Sequence, residues 1–277
     1  NLTINNSNVT GGYEAIEIDG GTVEINENST IEGKGVDAIY IHDNGAKLTV
    51  NNGNIINNIG YFAIAGAGDN GSDNYLGGTE INIINGTISA VKGTAIYLPQ
   101  YGEVKIEGGS ITGDETAIEI ESGKLNIIGG EFNATSTEFG LDRTPDHIGG
   151  GSIASGSAIA VVCRTDTDKN HEGSGGYYGN MDINISGGTF NGVCGIAKYL
   201  VDGKDEADSI NNMSITGGTF TGTECAVSVD EYCKNNKFIS GGTFNTDVTS
   251  YLADGTAYSS DNGEYTVYSA TNKITGA

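Results

Sequence analysis

The chain has 277 residues with 45 glycines, 2 prolines and no tryptophan, and its 36 acidic against 13 basic side chains leave a net charge of −23. That charge repels phosphate backbones and anionic headgroups, so nucleic acid and bare membrane are poor partners, and no apolar run approaches the roughly 20 residues that cross a bilayer. Isoleucine, valine and phenylalanine return at regular intervals among the glycines and asparagines, which argues for a repeat rather than disorder.

The opening at polar Asn1, with no basic and then apolar leader, reads as that of a mature or excised segment. Leu2 and Ile4 already sit in repeat register, so further coils or another domain are expected upstream. An apolar residue followed by a second one five positions on occurs at Ile4 to Val9, Val50 to Ile55, Ile83 to Ile88, Ile106 to Ile111, Ile127 to Phe132, Ile185 to Phe190, Ile215 to Phe220 and Ile239 to Phe244, with Ile25 to Ile31 one residue longer. The starts lie 21, 25, 33, 23, 21, 58, 30 and 24 residues apart. The short values define a unit, and the long ones are that unit with insertions. A second alternating segment follows within the unit, as in Ala15-Ile16-Glu17-Ile18, Ala38-Ile39-Tyr40-Ile41, Ala95-Ile96-Tyr97-Leu98 and Ala117-Ile118-Glu119-Ile120. A period of two marks strands with one face on a core, and the Gly-Gly, Asn-Gly and Asn-Asn pairs between them make tight corners.

Three short strands and three corners per unit describe one coil of a parallel β-helix. The chain is therefore expected to be all-β, a single-stranded right-handed parallel β-helix of about nine coils over residues 1–245, closed by a capping segment at 246–277. Ile106, Ile127 and Ile185 should form one interior column and Phe190, Phe220 and Phe244 another. Thr87, Ser110, Glu131, Thr189, Thr219 and Thr243 should form an outward ladder. Tyr251, Leu252, Tyr258, Tyr265 and Val267 should cover the last coil.

Specificity on a solenoid is expected in the departures from its period, here at 65–78, 133–155, 164–180 and 199–209, together with the Pro99-Gln100-Tyr101 turn. All but 133–155 fall at one corner, so stacking would gather Tyr75, Tyr97, Tyr101, Tyr177, Tyr178, Tyr199 and Tyr232 along one edge with Arg164 and many aspartates. Tyrosines with a polar tip suit sugar rings or a protein partner; the same rings would serve equally to pack the loops down. Within 164–180, Asp166, Asp168, Asn170 and Glu172 alternate ahead of Gly173, and oxygen ligands at every second position can close around calcium.

Cys194 precedes Gly195-Ile196 as Cys225 precedes Ala226-Val227, so the two occupy matching positions in adjacent coils and are close enough for a disulfide. Cys163 and Cys233 remain as a second pair. The alternative is that Cys194 and Cys225 are small buried hydrophobes with free thiols. No catalytic constellation is singled out. Arg164 beside Asp166 and Asp168 suits a structural ion pair as well as a lyase base, many acids qualify for a hydrolase pair, and no nucleophile elbow or phosphate loop is present.

The later coils read INISGGTF, MSITGGTF and FISGGTF, followed by TDVTSYLADGTAYSSDNGEYTV at Thr246 to Val267. This resembles the ISGGTF-type β-helix repeats of secreted, wall-attached surface proteins of Gram-positive gut anaerobes, in which a YLADG segment and a final GxYTV strand close the solenoid. The resemblance implies a cell-surface location and a place within a longer chain. The function expected is a non-catalytic, monomeric adhesin or binding module that presents its loop edge to a glycan or a host surface protein. A β-helical polysaccharide lyase or glycoside hydrolase and a plain spacer are the alternatives.

Overall fold

The computed structural model describes residues 1–42, 45–66, 79–142, 151–164, 180–201 and 205–270. It is a parallel β-helix with three faces. The first face is an eight-stranded parallel sheet running from Leu2–Ile4 through Thr22–Ile25, Lys47–Val50 and Thr79–Ile83 to Ile210–Ile215. The second carries Asn8–Gly11, Thr30–Gly33, Gly53–Asn57, Gly86–Ala90, Ser110–Gly113 and Glu131–Ala134. The third carries Ile16–Ile18, Asp37–Ile41, Phe62–Gly66, Ile96–Leu98, Ile118–Ile120 and Ser157–Cys163. In the seventh and eighth coils the strands Thr189–Leu200 and Thr219–Val229 run unbroken from the second face onto the third, with a register irregularity at Gly192 to Cys194.

Registers follow the sequence ladders. Ile106, Ile127 and Ile185 are successive partners, and Phe190, Phe220 and Phe244 pair in turn. Phe132 extends that column at its start, so four rings stack with centroid separations of 4.8, 4.4 and 5.0 Å. The outward ladder from Thr87 to Thr243 is continuous.

The repeated Gly-Gly has two separate causes. A Cβ on Gly217 would lie 2.3 Å from the Ser186 carbonyl oxygen of the coil beneath, so the first glycine permits coil-to-coil approach. Gly218 has φ of +102°, a region side chains avoid, so the second turns the corner. Side-chain amides stack outside the core: Asn51 donates to Asn26 and Asn26 to Asn5 at 2.6 and 2.7 Å.

At the far end, Gly242–Phe244 pairs antiparallel with Glu264–Ser269, which pairs in turn with Thr256–Asp261. Tyr251, Leu252 and Tyr265 pack on the core and Val267 is buried. Tyr258 departs from the expectation: it lies on the outer strand of this hairpin and is 45% exposed.

Candidate functional site

The expected tyrosine edge lies between the third face and the next coil's first face, and the structure alters its character. Tyr97 is buried, its ring stacked 5.1 Å from Phe62 and its hydroxyl donating to Glu121 Oε2 at 3.0 Å. Tyr199 is buried against Phe139. Arg164 is also buried and donates to Glu121 Oε1 at 2.9 Å. Each of these three finds a partner on a neighbouring coil or on the 133–155 insertion and loses its water, so all three serve packing. Tyr101 is partly buried and Tyr232 is exposed. Tyr75, Tyr177 and Tyr178, and the calcium candidates Asp166, Asp168, Asn170 and Glu172, lie outside the described residues. Among the described residues no three His, Cys, Asp or Glu side chains are grouped as metal ligands. Asp205 caps the short helix Glu206–Ser209 by accepting from the Ala207 N–H.

The insertion after Ala134 leaves from the opposite corner, between the second and third faces, and then folds back over the third. Its hairpin pairs Gly140 with Ser155 and Leu141 with Ala154. Glu119, fully buried on the outer side of the third face, anchors it by accepting from Ser152 Oγ at 2.7 Å and from the N–H groups of Ile153 and Ala154 at 2.9 Å. Burial pushes the carboxyls of both Glu119 and Glu121 up. The Ser152, Ile153 and Ala154 donors draw Glu119 back and the Arg164 guanidinium draws Glu121 back, while the charge of Glu119 pushes Glu121 up further.

Folding this hairpin back creates a cavity of about 780 Å³, with Tyr61 on one wall and Asp114, Glu115, Ser136, Glu138 and Asp142 among its polar lining. Thr135 Oγ1 donates to Asp114 Oδ1 at 3.0 Å, and the Glu138 N–H donates to Ser136 Oγ at 3.0 Å. A second hollow of about 750 Å³ shares Thr135, Ser136 and Thr137 and continues past Val193 to Glu224. The two run along one corner of the solenoid.

Solvent-facing apolar groups collect on the same corner. Tyr13, Ile59, Tyr61 and Val91 are 65%, 52%, 58% and 49% exposed, and all lie between second-face and third-face strands. Tyr13 and Tyr61 each stand three residues before Ile16 and Ile64, which are aligned through Ile39, so the tyrosines hold the same position two coils apart. Asn57 fixes the corner that presents Tyr61. Its amide donates to the carbonyls of Gly35, Val36 and Phe62, and its Oδ1 accepts from the N–H groups of Ile59 and Gly60. Sequence reasoning favoured the corner where most of the insertions coincide and so set this one aside. The available signal was the Gly-Tyr pair at Gly12-Tyr13 and Gly60-Tyr61, placed identically before an alternating strand.

Beneath this corner Asp37 is buried, and its Oδ1 has no hydrogen-bond partner among the described residues. Burial, and then the Glu14 carboxylate, raise its carboxyl from 3.8 to about 7. Between those values the folded chain holds a proton that the unfolded chain has released, so stability falls as pH rises through that window and levels off above it. Asp37→Asn is expected to stabilise by about 1–3 kcal/mol at about pH 8, with little effect at about pH 3.5. Thermal melts at the two pH values check this, and equal shifts would rule out an ionised, poorly solvated Asp37.

No family model, no curated protein and no solved structure matches the chain.

Proposed function

We propose that this chain is a non-catalytic binding module that offers the corner carrying Tyr13 and Tyr61, together with the acidic cavity beside it, to an extended neutral glycan. The observation that carries this reading is the pair of equivalent, largely exposed tyrosines two coils apart, next to a cavity rich in hydrogen-bond acceptors. Tyrosine faces stack on sugar rings and their hydroxyls stay wet. Asp114, Glu115 and Glu138 accept from sugar hydroxyls, while a net charge of −23 disfavours anionic polymers.

The ISGGTF-like coils and the YLADG closing segment support placing the module on the surface of a Gram-positive bacterium, as an adhesin-like part of a longer protein. Asp166, Asp168, Asn170 and Glu172 are retained as proposed calcium ligands within the 164–180 insertion.

Calorimetric titration with neutral oligosaccharides of increasing length tests the reading. Affinity should rise once the oligosaccharide spans both tyrosines. Tyr61→Ala should weaken it at least about tenfold, which is about 1.4 kcal/mol. Unchanged affinity in that variant sinks the proposal, and sustained release of reducing ends from the same sugars would make the cavity acids those of a hydrolase instead.

A further inference from the structure

The four cysteines stand as thiols at the carboxy-terminal end of the solenoid, three of them buried and Cys225 half-buried. Four cysteines allow three pairings, and the fold separates them into two sets. Cys163 faces the interior, in the core that also contains Ile159 and Val161. Cys194 lies on the outer side of the third face, in the cluster under the inserted hairpin, with Cys225 packed against it. A bond from Cys163 to Cys194 or Cys225 would have to pass through the sheet.

Within each set the fold brings the two cysteines onto neighbouring segments. Cys194 and Cys225 are direct register partners on neighbouring parallel strands, a separation of about 4.8 Å between backbones that suits a disulfide. Cys225 packs against the buried cluster that contains Cys194. Cys163 pairs in register with Leu200 of the seventh coil. Lys198, in register with Val161 two residues before Cys163, pairs with Glu206, which accepts from the N–H of Lys234 beside the buried Cys233, so the turn that carries Cys233 is held against the end of the Cys163 strand.

We propose that these coils are cross-linked by two disulfides, Cys194 to Cys225 between adjacent coils and Cys163 to Cys233 across the seventh coil. The oxidant is a small-molecule or protein disulfide. A thiolate at Cys225 attacks one of its sulfurs and expels the first thiol; Cys194, as thiolate, then attacks the Cys225 sulfur of the mixed disulfide and expels the second. Two protein thiols become one disulfide, and the oxidant's disulfide becomes two thiols, with two electrons and two protons transferred. Cys233 and Cys163 react in the same order. The partner thiol lowers the pKa of each leading cysteine, Cys225 and Cys233, while burial raises that of Cys194 and the Cys233 thiol raises that of Cys163.

The test is refolding of the full chain in a glutathione redox couple, followed by mass spectrometry with alkylation but no reductant. Cleavage at lysine, arginine and glutamate separates Cys225 from Cys233 at Glu231. The expected result is a loss of about 2 Da per bridge, with the two named pairs as linked peptides. Reduction should lower the melting temperature by roughly 5 °C or more, since both bridges close loops of tens of residues. The Cys194→Ser/Cys225→Ser variant should retain the Cys163 to Cys233 link, and Cys163→Ser/Cys233→Ser the other. Alkylation of all four thiols after oxidative refolding, or any other pairing, overturns the proposal.

Discussion

Phe220→Ala is expected to cost about 3–5 kcal/mol, the upper range for truncating a buried aromatic. Phe220 is fully buried between Phe190 and Phe244, with centroids 4.4 and 5.0 Å away. Truncation removes the ring's own burial and also strips both neighbours of a packed face. The wall cannot close the gap, because hydrogen bonds on either side hold the strands in register: the Thr219 N–H donates to the Gly188 carbonyl and the Thr243 N–H to Gly218. Phe220→Leu, which keeps most of the volume, should cost less than about 2 kcal/mol. Urea midpoints report the difference. Since stability in a solenoid is shared mainly between neighbours, hydrogen exchange should show the loss in the seventh to ninth coils before the first. An alanine variant within about 1 kcal/mol of the parent would show that the ring column is not a main source of cohesion.

Lys198→Met should be nearly as damaging, for an electrostatic reason. Lys198 stands in register with Val161 and Val229, in a column otherwise apolar, and is 1% exposed. Its ammonium pairs with the Glu206 carboxylate and donates to the Asn235 carbonyl at 2.8 Å. Glu206 also accepts from the Lys234 and Asn235 N–H groups, so it pins the closing turn to the helix that follows the seventh coil. Removing the lysine leaves a buried carboxylate without its counter-charge, at a cost of about 3–5 kcal/mol. Lys198→Met combined with Glu206→Gln should recover much of that loss, because the desolvation penalty then disappears with both charges. A double-mutant cycle by urea denaturation checks it, and additive losses would show that the two side chains act independently.

The pH dependence has a definite sign. Burial raises the Glu206 carboxyl, but the Lys198, Lys234 and Asn235 donors outweigh it and hold the group below 4.5. A depressed carboxylate contributes stability that is full above its unfolded pKa and lost as pH falls through the folded one. The parent should therefore lose this contribution only in acid, and the double variant should not.

The solenoid was legible because a ladder repeats one decision many times. Each Ile or Phe in register repeats the same inward choice, and the Gly-Gly pairs place the corners by steric necessity. Single-residue inversions of that rule were not legible. Lys198 looks like an outward residue in any hydropathy reading, yet parity along Thr189–Leu200 turns it inward, where Glu206 neutralises it. Tyr97 and Tyr199 read as surface aromatics because nothing local reveals that Phe62 and Phe139 will cover them. The corner carrying Tyr13 and Tyr61 was set aside for a related reason: the coincidence of insertions marks where chain is added, whereas the cavity arises from where one insertion folds back, and Glu119 decides this with hydrogen bonds to residues more than thirty positions away.

The uniform rise per coil makes this molecule a ruler. Tyr13 and Tyr61, in equivalent positions two steps apart, have their backbones held about 10 Å apart by strand spacing alone. A polymer whose rings recur on that length can rest on both at once, and the second contact then forms at high effective concentration without further ordering of the protein. A ligand of another pitch can use only one. Selectivity would then come from measuring length, through scaffold stiffness rather than any single strong contact.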